Sequence, residues 1–158
     1  MRRTARFIHY LGLALFLGSI FSFIVASSVT ATSDLAALAA ARRVISAGTL
    51  FLTLPGLVLL IVSGSVLSAT SNGLKSRWVQ IMAVAAAVIV VNAVSVVVPA
   101  GRAATALAQS SVSTGVLATG FGAAYMTESV AGGVNIVLAL IATAAGVWRM
   151  ESRRPTAA

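Results

Sequence analysis

The stretch WVQIMAVAAAVIVVNAVSVVVP, Trp78 to Pro99, runs its whole length without a charged residue. At about 1.5 Å per residue, a helix of this length covers about 30 Å, the thickness of a bilayer's hydrocarbon core. Three further stretches read the same way, at about residues 6–27, 46–69 and 128–149. Lipid offers no water to pair backbone amides, so each segment has to pair its own, which demands helices. A barrel needs short strands of alternating polarity, and these runs are apolar throughout. The expected fold is all-α: a transmembrane bundle of four helices (6–27, 46–69, 78–99 and 128–149) in one integral membrane domain, residues 1–158.

Composition agrees. The chain is 59% hydrophobic and only 9% charged, with a mean hydropathy of +1.02, whereas soluble domains are about 25% charged. Four spans of about 20 residues leave no length for a separate soluble domain. The net charge of +8 does not mark a nucleic-acid partner, because the basic residues sit at helix ends rather than on one face. They read as topology instead. Arg2, Arg3, Arg6, Lys75, Arg77, Arg149, Arg153 and Arg154 flank one side and Arg42, Arg43 and Arg102 the other, 8 against 3. Both termini are therefore expected in the cytoplasm, with Trp78 and Trp148 at the cytoplasmic headgroup level. The abundance of Arg over Lys and of Ala hints at a GC-rich bacterial genome, and the expected location is a bacterial inner membrane. Met1-Arg2-Arg3 before an apolar run also resembles a signal peptide, but the run is longer than the usual apolar region of about 7 to 15 residues, so span one is expected to stay. With no cysteine, disulfides, thiolate nucleophiles and thiolate metal sites are excluded.

Helices in lipid associate through close packing and a few hydrogen bonds. Ala14, Gly18, Ser22 and Ala26 form a smooth stripe on span one, and Gly56, Gly64 and Ser68 offer small residues on span two. Pro55 lacks an amide donor and is expected to bend span two. Counted from the cytoplasmic end, Ser22, Thr53, Asn92 and Asn135 all fall about 20–25 Å deep. The two amides are expected to face each other. Hydrogen bonding between helices is the plainer account of this polar level, and a polar substrate or ion site the alternative. Glu128 is expected in an interfacial ion pair with Arg42, Arg43 or Arg102, and no deeper carboxylate is present for a proton relay. The passage from Ala100 to Thr127 reads as part helix; it lies on the membrane, extends span three or dips back in, and the pattern leaves all three open.

His9 is the only histidine. It lies about 5 Å into span one, and Met82 about 6–8 Å into span three from the same side. If these side chains meet, they make a recognised axial pair for haem iron. Gly12, one turn from His9, would leave room for a porphyrin, and Arg6, Lys75 and Arg77 would stand where propionates emerge. The competing account is a His-Tyr headgroup anchor with Met82 as apolar filler. No carboxylate lies at the depth of His9 to orient it, so nucleophilic catalysis is not expected.

Phe7-Ile8-His9-Tyr10-Leu11-Gly12 with Gly18, and Ala41-Arg42-Arg43 through Leu54-Pro55-Gly56 to Ser63-Gly64-Ser65, resemble a family of small bacterial four-helix membrane proteins of unknown function. That family is itself similar to the copper-resistance protein D and HemJ-type protoporphyrinogen oxidase group. The resemblance covers most of residues 6–99. In the HemJ-type group a first-span histidine, and a lysine shortly after a tryptophan in a later span, are linked with haem and activity. His9 matches the histidine and Trp78 the tryptophan, but Met82 stands where the lysine would be. The resemblance therefore implies haem b on His9, in electron transfer or haem handling, more than oxidase activity. The alternative is a non-enzymatic membrane subunit or small transporter-like protein that binds a partner protein or a second copy. A third reading, copper or other metal passage through His9, needs a polar path, and the residues between His9 and the Asn92 level are Ala, Val, Leu and Ile.

Overall fold

A computed structural model describes residues 2–69 and 77–151. It is built from α1 (Arg2–Val29), α2 (Leu35–Gly48), α3 (Leu54–Ala69), α4 (Arg77–Asn92), α5 (Val98–Thr114) and α6 (Phe121–Glu151). A π turn, Thr49–Thr53, joins α2 to α3 without a break, and another, Ala93–Val97, joins α4 to α5. Among the described residues, four helices are long and apolar enough to cross a membrane: Arg2–Val29, Leu35–Ala69, Val79–Thr114 and Phe121–Gly146. They run alternately up and down, so Arg2 and Glu151, the first and last described residues, share one end of the bundle, the terminal end, with the turns at 30–34 and 115–120 at the distal end.

Both long rods exceed their expected bounds at the distal end. Asp34 caps α2, its Oδ1 accepting the Ala37 amide at 2.9 Å, which starts that helix eleven residues before position 46. Ala100 to Thr114 continues span three as α5. Gly115, at φ 71°, ends it with a left-handed residue. The buried Ser111 then accepts the Ala118 amide at 2.8 Å and fixes the turn that returns into α6.

The prolines act through the π turns. Proline has no amide hydrogen and its ring crowds the carbonyl four residues back. Before Pro55 the Leu54 amide reaches five residues back, to Thr49, and before Pro99 the Val98 amide reaches Ala93 in the same way. Each widened turn changes the rod's partner. α3 packs on α1, but α2 packs on α5; α4 packs on α6, and α5 on both α2 and α6.

Two cores result. Phe16, Leu57, Ile89, Ala93 and Ala139 fill the middle of the bundle. Leu38, Ala39, Ala104, Ala108 and Phe121 fill the distal end.

The packing face of α1 differs from the expected stripe. Gly12, Phe16 and Ser19 are buried, while Ala14, Gly18 and Ser22 face outward. A Cβ at Gly12 would stand 2.9 Å from the Gly56 carbonyl oxygen, and one at Gly56 would stand 2.8 Å from the Phe16 amide nitrogen. These glycines let two backbones touch, and Phe16 then drops into the core at 1% exposure. Close approach around one large side chain removes more surface than a smooth stripe would. The exterior carries exposed Phe21, Val25, Phe51, Val84 and Val130, a surface suited to lipid.

Candidate functional site

The helical spacing of α2 puts Leu38, Arg42 and Ile45 on one buried face. Arg42 is 3% exposed. Its Nη2 donates to Glu128 of α6 and, at 3.2 Å, to the Gly101 carbonyl of α5. The expected ion pair therefore selects Arg42 and lies inside the bundle; Arg43 and Arg102 are exposed. A Cβ at Gly101 would meet Glu128 Oε1 at 2.6 Å, so the carboxylate would have to shift to admit one. Thr105 donates to the same Gly101 carbonyl at 2.8 Å. One group stays unmatched: the buried Nε–H of Arg42 has no acceptor.

Arg42 borders a cavity of about 100 Å³, with Ser46, Thr49, Gly101, Arg102 and Glu128 around it. Thr49 and Leu50 of one π turn and Val97 of the other also line it, so both interrupted rods contribute walls.

Glu128, Ala131 and Asn135 follow one face of α6, and Asn135 lies about 10 Å from Glu128 toward the terminal end. Asn92 Nδ2 donates to Asn135 Oδ1 and to the Ala131 carbonyl, both at 2.8 Å. Thr53 pairs with Ser19 at 2.8 Å. Ser22 is turned outward and bonds its own helix at the Gly18 carbonyl, so it leaves the shared polar level to Ser19.

His9 faces α3, where its Nδ1 lies 3.0 Å from Ser63 Oγ and its ring rests against Gly64. Met82 faces α6 instead, its sulfur near Gly146. Among the described residues, no Cα of α1 comes within 8 Å of one of α4. The structure does not bring the expected His9 and Met82 pair together. Gly12, expected to leave room for a porphyrin, is covered by the α3 backbone. These residues do not fit an axial haem pair; the imidazole acts as a strut between α1 and α3. Arg6 and Arg77 are exposed, and Arg77 borders an apolar groove of about 560 Å³ on the outside of α4 and α6. Lys75, Arg153 and Arg154 and the side chains of Trp78, Trp148 and Arg149 lie outside what the structure describes.

No family model, curated protein or solved structure matches the chain, so the site stands on its own geometry. The burial of Arg42 was not foreseen from the sequence, because span two was begun at residue 46. Its signal is the spacing of Leu38, Arg42 and Ile45 behind an Asp34 cap. The role of Gly101 has a signal too: Pro99-Ala100-Gly101 repeats the Pro-then-small pattern of Pro55-Gly56.

Proposed function

We propose that this chain is a non-enzymatic, transporter-like subunit of the bacterial inner membrane, with both termini cytoplasmic, and that a small polar solute occupies the cavity between the two π turns. One observation carries the reading: two rods are interrupted at matching places, each by a π turn, one residue and a proline, and both interruptions wall one cavity beside a buried arginine. Paired interruptions of membrane helices mark solute sites in transporters, π turns recur at functional sites, and buried ionisable groups in spanning helices mark pathways. The Asn92–Asn135 and Ser19–Thr53 pairs lie on the terminal side of this cavity. The outward stripe of Ala14, Gly18 and Ser22 leaves α1 free to approach a second copy or a membrane partner.

The chain has no cysteine, so single-cysteine variants test this directly. Ser46→Cys, in the cavity, is expected to react with a membrane-impermeant thiol reagent added on the distal side. Ala139→Cys, buried in the middle core beyond the Asn pair, is expected to stay unreactive from that side. Silence at Ser46→Cys from both sides would mean a sealed cavity and would end the proposal.

A further inference from the structure

We infer that the groove on the outside of α4 and α6 holds one anionic phospholipid of the leaflet at the terminal end, its acyl chain along the two helices and its phosphate on Arg77. The groove measures about 560 Å³, and its lining changes character along its length. Ile81, Val84 and Val88 of α4 line it with Leu138 and Ile141 of α6, and the small, buried Ala85 leaves room between them. Its two polar residues, Arg77 and Gln80, both belong to the first turn of α4. A trough that is apolar throughout and polar at one end matches an amphiphile. A water-soluble ligand would meet no polar side chain beyond that first turn.

Length and charge narrow the occupant. From Arg77 to Val88 the helix rises about 16 Å, and one leaflet of hydrocarbon is about 15 Å deep. The groove therefore runs from the headgroup level to the mid-plane, where it stops one turn short of Asn92. Arg77 is exposed, and among the described residues no carboxylate pairs with it. Of the three carboxylates in the chain, Asp34 caps α2 and Glu128 holds Arg42, which leaves Glu151 against eight Arg and Lys residues at the terminal end. Basic sites between spanning helices favour anionic headgroups over zwitterionic ones. A second copy fits less well, because copies in one membrane share an orientation and its own basic end would meet this one at the same level.

The test is native mass spectrometry of the purified full chain, released from mild detergent micelles that carry phosphatidylglycerol and phosphatidylcholine of the same acyl chains in equal amounts. The spectrum reads bound lipid and chain copy number together. Wild type is expected to retain one phosphatidylglycerol per chain, preferred over phosphatidylcholine by about fivefold. Arg77→Gln, at an exposed position, is expected to bring the two lipids within about twofold of each other. Val84→Trp, also exposed, fills the trough from its rim and is expected to lose the retained lipid of either kind. Arg6→Gln removes an exposed charge from α1 at the same end, away from the groove, and is expected to keep the wild-type preference. Equal retention of the two lipids by wild type, or a loss of preference in Arg6→Gln as large as in Arg77→Gln, would overturn the assignment, since the field of the basic end rather than the groove would then set any binding. Unchanged retention in Val84→Trp would place the lipid elsewhere. A lipid-free wild-type dimer that Val84→Trp turns into a monomer would give the groove to a second copy and overturn the proposal as well.

Discussion

Replacing Glu128 by alanine leaves the Arg42 guanidinium in the bundle with one carbonyl partner and no counter-charge. The side chains of the pair are 4% and 16% exposed, so water cannot take over the role of the carboxylate. Breaking a buried pair from one side costs about 3–5 kcal/mol, against about 0–1 kcal/mol for a surface pair. The same loss is expected for Arg42→Met, which strands the carboxylate. The double variant Arg42→Met/Glu128→Leu removes both charges and fills the space with apolar atoms; buried pairs replaced in this way are often neutral or more stable. It is therefore expected within about 1 kcal/mol of wild type or above it. Reversible unfolding in mixed micelles with increasing dodecyl sulfate, followed by helical circular dichroism, measures all four proteins in one background. If Glu128→Ala costs under about 1 kcal/mol, Arg42 has access to water and the interior placement of the pair is wrong. If the double variant is as unstable as the singles, the cost is one of packing rather than charge.

Three further outcomes follow from the packing. Gly12→Ala is expected to lose about 1–3 kcal/mol by overpacking, while Gly18→Ala, whose Cβ would have nothing within 4 Å, changes little; unfolding titrations giving the reverse order would restore the smooth stripe as the packing face. A double-mutant cycle of Asn92→Ala and Asn135→Ala should give a coupling of about 0.5–2 kcal/mol, and a value near zero would mean that the amides do not meet in the bilayer. Added hemin should give no Soret band that depends on His9, as judged by difference spectra of wild type and His9→Ala; a six-coordinate spectrum lost in His9→Ala would refute the packing of α1 on α3.

The sequence was most legible where one physical demand dominated. Trp78 to Pro99 had to be a helix because nothing else satisfies its backbone in lipid, and all four spans reappear in the structure. Partner choice was less legible, because depth along a helix is readable from residue count but azimuth is not. Asn92 and Asn135 were placed by depth alone and do meet. Ser22 was placed by the same measure yet points outward, three residues from Ser19, which holds the contact with Thr53. His9 and Met82 lie at comparable depths on helices whose Cα atoms stay more than 8 Å apart. Arg42 was hidden for another reason: a charged residue outside the most apolar window reads as a flank, although its helix begins at an Asp34 cap well before that window.

The π turns carry a consequence in the arithmetic of insertions. An α-helix turns about 100° per residue, so in an unbroken helix Arg42 and Gly56, fourteen positions apart, would point within about 40° of each other, both toward α1. The π turn absorbs about one residue's rotation and swings the Arg42 face toward α5 and α6. Each bulge thus behaves as a one-residue insertion that re-addresses half a helix. Deleting a single residue within 49–53 should send Arg42 back toward α1 and strand Glu128, even though no atom of the ion pair has been changed.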